Sequence, residues 1–212
     1  MLNFIDIHTH NANTANNCAV VNLSPIDTSQ ILNTSEHRFF SCGIHPYSVD
    51  KINIEQVGLL EKAAYHQKIV AIGECGLDRN AKASFKEQMY YFERQIHISE
   101  LTNKPLIIHS VASHSEIIHI KKRINPSQNW IIHGFRGKPQ LAEQFLKHDF
   151  NLSFGEFFNK ESVEICPIER LCLETDESNL PIEAIYKQIS AIKNCEPQAL
   201  HNACQWLKMY IC

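Results

Sequence analysis

The chain has little that would mark it as secreted, membrane-spanning or broadly attracted to nucleic acid. Its eight cysteines, at 18, 42, 75, 166, 172, 195, 204 and 212, contain no C-x-x-C pair. They sit mostly inside apolar stretches, so they read as packing residues of a reducing compartment rather than as zinc ligands. Nowhere do about 18 apolar residues run together, which excludes an obvious transmembrane helix. No basic segment leads into a long apolar one at the start, so no signal peptide is expected and the expected location is cytoplasmic. A net charge of -3 and a pI near 6.4 give no global pull toward polyanions or anionic lipid. Any such contact has to be local. Glycine is scarce, and six of the seven (Gly43, Gly73, Gly76, Gly134, Gly137 and Gly155) fall at or just past the ends of apolar runs. Such places need unusual backbone angles or close approach. No obligate protein partner is evident, and 212 residues suit one domain, 1–212.

What is present is a series of short apolar runs: Phe4 to His8, Ala19 to Leu23, Phe39 to Ile44, Ile69 to Gly73, Leu106 to His109, Trp130 to His133, Asn151 to Phe154 and Leu171 to Leu173. Each has strand length. From the third onward they alternate with amphipathic segments. The clearest starts at Ser84, where Ser84 and Glu87 form a capping box and Phe85, Met89, Phe92 and Ile96 share a stripe. Another opens at Pro181, with Ile182, Ile185, Ile189 and Ile192 on one face, and Pro139 and Pro197 open two more. Strands apolar on both faces, alternating with helices, make a parallel sheet covered by helices. The fold class is therefore α/β, and the count of runs favours a (β/α)8 TIM-type barrel. Only Thr9 to Cys18 separate the first two runs, too little for a full crossover, so the first helix is expected to be missing or rudimentary. An open doubly wound sheet is the runner-up.

In a parallel barrel, residues closing successive strands converge at one rim. His8 and His10 close the first run, Glu74 the fourth, His109 the fifth and His133 the sixth, and Asp176 follows the last. Four imidazoles and two carboxylates are poor packing and a good metal cage. Without cations, Glu74 and Asp176 would repel each other in a partly desolvated mouth. Mixed nitrogen and oxygen ligation suits zinc, manganese, iron or nickel better than magnesium. Six ligands are many for one catalytic zinc and adequate for two divalent ions, with Glu74 the natural bridge. His37, His66, His97, His114, His119, His148 and His201 read as surface or internally satisfied residues. Lys121, Lys122 and Arg123 close a helical stretch, where cations suit the helix dipole.

Several motifs now appear in order: Asp6-Ile7-His8-Thr9-His10, Gly43-Ile44-His45-Pro46, Ile72-Gly73-Glu74-Cys75-Gly76-Leu77-Asp78, Pro105 to Ser110, His133 to Gly137, Leu152 to Gly155, and Leu173-Glu174-Thr175-Asp176. Together they resemble the TatD-type metal-dependent deoxyribonucleases of the amidohydrolase superfamily. The resemblance implies a two-metal site at His8, His10, Glu74, His109, His133 and Asp176, and hydrolysis of phosphodiester bonds in DNA. On this reading the metal is zinc, manganese, nickel or magnesium. Departures from the family pattern concern the substrate side. Val111 and Ala112 stand where Arg and Asp are usual, Gly134 and Arg136 replace a usual Cys and Ser, and the loop after Asp176 is short.

The expected chemistry is a metal-activated water attacking phosphorus. Asp176 and Glu74 are the expected catalytic residues, Asp176 as ligand and base. His45 and Arg136 are the expected substrate-binding residues, the first by a hydrogen bond to phosphate and the second by two-point binding. The expected substrate is DNA or a small phosphoester. Because a fold and metal site serve many substrates, two alternatives stand: an amidohydrolase-like enzyme acting on a small amide, lactone or ester, and a metal-stabilised non-catalytic binding protein.

Overall fold

A computed structural model describes residues 4–31 and 38–203. Along the chain, β1 (Asp6–Thr9) is followed directly by β2 (Ala19–Leu23), then α1 (Thr28–Ile31), β3 (Phe39–Cys42), α2 (Ile54–Ala64), β4 (Ile69–Asp78), α3 (Phe85–Thr102), β5 (Leu106–Val111) and α4 (His114–Ile124). The second half continues with β6 (Trp130–Ile132), α5 (Pro139–Lys147), β7 (Asn151–Phe154), α6 (Lys160–Ile165), β8 (Leu171–Leu173), α7 (Ile182–Lys193) and α8 (Pro197–Ala203). The strands form one sheet in chain order, β1 to β8. Thr9 of β1 also bridges Asp176 in parallel, just past β8. The His10 amide donates to Asp176 O at 3.0 Å, and the Asp176 amide to His8 O at 2.9 Å. Joining first strand to last distinguishes a barrel from the open doubly wound sheet. The chain is a (β/α)8-type barrel, and among the described residues no helix lies between β1 and β2.

The barrel comprises two compact units, Met1–Val21 with Ile131–Cys212, and Asn22–Trp130. In the first unit, β7 and β8 pair in register from Leu152 and Leu171 to Phe154 and Leu173. Phe135, Phe145, Phe150 and Phe154 fill its interior with edge-to-face rings, an arrangement that aromatic quadrupoles favour. Tyr186 of α7 is fully buried, and its hydroxyl donates to Ile5 O at 3.0 Å, satisfying the one polar atom the ring brings inside.

In the second unit, β4 runs five residues beyond the expected Gly73, to Asp78, and every residue of it is buried. Two glycines permit this. Gly73 and Gly76 have φ of +143° and +138°, and a Cβ at either would lie 2.5 Å or 2.1 Å from a carbonyl oxygen of β5. The glycines thus let two backbones come closer than any side chain allows, and Glu74 lies within the strand rather than after it. The capping box at Ser84 is present in both directions. Pro181 is the N-cap of α7 rather than its first residue, while Pro139 opens α5 and Pro197 opens α8 as expected.

Among the described cysteines, five are buried, one is intermediate and none is in a disulfide. Burial pushes the Cys42 thiol up to about 12 and the Cys75 thiol well above its usual range, so neither offers a thiolate. Cys204, Cys212 and His37 lie outside the described residues. No described helix is long and apolar enough to cross a membrane.

Candidate active site

The six expected ligands divide between the units: His8, His10, His133 and Asp176 belong to the first, Glu74 and His109 to the second. In the first unit, alternation along β1 places His8 and His10 two residues apart on one side. His8 is fully buried and the His10 side chain is 39% exposed. Their Nε2 atoms lie 3.7 and 3.6 Å from Asp176 Oδ1. These separations exceed a hydrogen bond. They match the spacing of two ligands about 2.1 Å from a shared tetrahedral ion, which is about 3.4 Å. The ligand atoms of His8, His10 and Asp176 all fall within 4.8 Å of one another, as do those of His133, Glu174 and Asp176. The His8 and His133 rings are 4.5 Å apart, so the two groups are contiguous. A cluster of imidazole and carboxylate with this spacing suits a divalent metal ion.

Two residues without an expected role hold this cluster. Asp6 accepts from the Thr175 amide at 3.0 Å, and its Oδ2 lies 2.7 Å from Thr175 Oγ1, fixing the residue before Asp176. Thr175 Oγ1 is also 2.8 Å from Thr9 Oγ1. Asp176 itself takes φ +55°, a left-handed conformation that Asp tolerates better than most residues and that this hydrogen bonding holds in place. Burial raises Asp6 to about 7 against the lowering influence of its Thr175 bonds. Glu174, also buried, accepts from the Gly134 amide and lies 3.5 Å from His133 Nδ1. Burial pushes its carboxyl up, but bonding and charge from His133 and the charge of His8 outweigh this and hold it below its ordinary value.

In the second unit the geometry is tighter. His109 places Nδ1 at 2.9 Å from Glu74 Oε1 and Nε2 at 2.9 Å from Asp78 Oδ2. His45 Nε2 is 3.2 Å from the same Glu74 oxygen, so His45 does more than pack against the turn at Pro46. It also caps the following 3-10 turn, its Nδ1 accepting from the Tyr47 amide at 3.1 Å. Asp78 is buried and doubly anchored. Its Oδ1 accepts from the Asn80 amide at 2.7 Å, while the Gln88 side chain accepts from its amide and donates to its carbonyl at 2.8 and 3.0 Å. A carboxylate on the far nitrogen of a histidine fixes ring orientation and tautomer at metal sites. His45, Glu74 and His109 form a third possible ligand group.

Arg136 lies in the first unit, on a cavity of about 340 Å³ that Asp176 also lines. Sequence reasoning passed over Asp6, Asp78 and Glu174. The available signal was an acid inside an otherwise apolar run, which burial makes costly unless the acid is bonded or paired.

Comparison with known proteins points the same way. The family profile described as TatD related DNase matches residues 5–207. An uncharacterized metal-dependent hydrolase of Bacillus subtilis, YabD, is 33% identical over 147 residues, 65% of this chain and 58% of the relative. A 3'-5' ssDNA/RNA exonuclease, TatD of Erwinia amylovora, is 28% identical over 171 residues, 74% of this chain and 66% of the relative. The match thus spans under two thirds of either relative's length. Among solved structures, the TatD homolog YjjV of Escherichia coli superimposes with a TM-score of 0.83 at 20% identity, covering 99% of this chain and 97% of the other. That likeness is one of fold.

Proposed function

The chain belongs to the TatD related DNase family, and from that premise we propose that it is a metal-dependent phosphodiesterase acting on DNA or a small phosphoester as a single domain. The observation that carries this reading is the ion-spaced cluster of His8, His10 and Asp176, set beside His133. Two divalent ions are proposed, with His8, His10, His133 and Asp176 as ligands in one unit and Glu74 and His109 in the other. Zinc, manganese and nickel fit the donors better than magnesium. When bound, such ions lower the pKa of water toward about 7 and polarise the phosphoryl oxygen.

The chain's own residues supply the rest. Asp176, whose main chain is held by the Thr9 and Thr175 framework, takes the proton from the attacking water on the carboxylate oxygen that does not face His8 and His10. Asp6 and Asp78 are positioning residues, the first acting through Thr175 and the second through His109. Glu74 holds His109 and His45, and His45, whose Nδ1 accepts from the Tyr47 amide, gives the Nε2–H that faces Glu74 to a non-bridging phosphate oxygen in its place when substrate binds. Arg136 steadies the substrate from the cavity beside Asp176. Buried cysteines outside any disulfide, among the described residues, support a reducing, cytoplasmic location.

The test is hydrolysis of a 3′-labelled single-stranded oligonucleotide and of bis-nitrophenyl phosphate by chelator-stripped protein given manganese, zinc or magnesium. Metal-dependent cleavage that Asp176→Asn abolishes is the expected result. Bound metal without cleavage overturns the phosphodiesterase reading and directs attention to amides and lactones.

A further inference from the structure

The same cavity carries a feature that metal chemistry does not use. Phe157, two residues past Gly155 and beyond the end of β7, is 61% exposed although it is a large aromatic residue. Its ring has Arg136 over it, the guanidinium carbon 5.3 Å from the centroid. Both side chains line the cavity of about 340 Å³ that contains Asp176, within the usual range for small-ligand clefts. Among the described residues Arg136 is the one cation lining it, against the carboxylates of Glu156, Glu174, Asp176 and Glu177. Glu156 is tied by the Ser178 hydroxyl, which donates to it at 2.6 Å. A wall so rich in carboxylates repels free phosphate. A flat, uncharged group does not meet that repulsion, and aromatic and guanidinium faces are the surfaces on which such groups stack.

We propose that Arg136 and Phe157 form a stacking platform for a nucleobase of the substrate, adjacent to Asp176. The inference rests on the phosphodiesterase reading and narrows its substrate to a nucleotide end with an accessible base. It also changes the role expected for Arg136. Its guanidinium carbon lies over the Phe157 ring, so on this reading the group stacks with the incoming base while its N–H groups serve the flanking phosphate. Stacking of this kind tolerates any base because every base has a π-face, so the platform selects single-stranded over paired ends rather than one sequence over another.

The experiment measures binding to an oligonucleotide carrying 2-aminopurine at its 3′ end, whose fluorescence is quenched on stacking. It uses the full chain in the Asp176→Asn background with manganese present. A matching oligonucleotide with an abasic 3′ end is the reference. Phe157→Ala is expected to weaken binding of the base-bearing end about 5- to 150-fold, the effect of losing one aromatic stack, and to remove the quench. Binding of the abasic end is expected to stay unchanged, and Phe157→Tyr to restore both signals. Because Phe157 is exposed, the variants are expected to fold, which circular dichroism checks. Equal losses for the two ends, or no loss for either, overturn the platform. Cleavage of bis-nitrophenyl phosphate by the wild-type chain is measured in parallel. Its absence, with quenching intact and lost in Phe157→Ala, overturns the phosphodiesterase reading while supporting the platform.

Discussion

The two units carry histidine–carboxylate clusters of different kinds. In the first, His8 and His10 stand 3.7 and 3.6 Å from Asp176, a gap that fits an ion and is too wide for a hydrogen bond. In the second, His109 is engaged at 2.9 Å on both sides, by Glu74 and by Asp78. The first arrangement has the spacing of ligands around a cation; the second is joined by direct hydrogen bonds. The difference follows from the backbone. His8, His10 and Asp176 are fixed by main-chain pairing of β1 with the segment after β8, which sets their spacing without reference to one another's side chains. Glu74 and His109 sit on neighbouring strands brought close by Gly73 and Gly76, near enough for their side chains to bond directly. Preorganised ligands bind ions more tightly, because less must be rearranged on binding.

The comparison breaks most visibly at Asp176. Asp176→Asn is expected to lower kcat on bis-nitrophenyl phosphate by orders of magnitude with an unchanged far-ultraviolet dichroism spectrum, and wild-type turnover would remove its role as base. Next, Asp78→Asn is expected to weaken metal binding about 10- to 100-fold by freeing the His109 ring, read by titration calorimetry with manganese. Affinity equal to wild type would make the Asp78 bond merely structural. Metal content during stepwise chelation sharpens the contrast further. On the two-ion proposal, Glu74→Gln is expected to lower the bound metal from two ions to one, leaving the ion proposed at His8, His10 and Asp176, as counted by elemental analysis. Simultaneous loss of all metal would show that the clusters do not bind independently. Smaller still, Arg136→Ala is expected to raise KM for a phosphodiester several-fold with little change in kcat. The smallest effect is a control away from both clusters: Ser84→Ala removes the cap of α3 and is expected to cost about 1 kcal/mol of stability, seen as a lower Tm, with metal content unchanged.

Much of the fold was legible in the sequence. The strand runs from Ala19, Phe39, Leu106, Trp130, Asn151 and Leu171 begin where the strands begin, because apolar runs of strand length bounded by polar punctuation have few other uses. The missing first helix followed from the ten residues at Thr9 to Cys18. The length of β4 did not. Glycine normally argues against a strand interior, and only the close approach of β5 shows why Gly73 and Gly76 continue it. His8, His10 and Asp176 were readable as candidate ligands because metal chemistry restricts residue type. Asp6, Asp78 and Glu174 were not, since a carboxylate written in a sequence does not say what it will face.

The sequence by itself therefore determined the order of strands and helices, the barrel class and the candidates for cation ligands, since periodicity and side-chain chemistry are local properties. Tertiary structure alone decided the distances. It placed Asp176 in a left-handed turn under the grip of Asp6 and Thr175, closed His109 between two carboxylates, and laid Arg136 over an exposed Phe157. Those relations join residues from different strands and loops, and pairing across such separations depends on how the whole backbone closes rather than on any one segment.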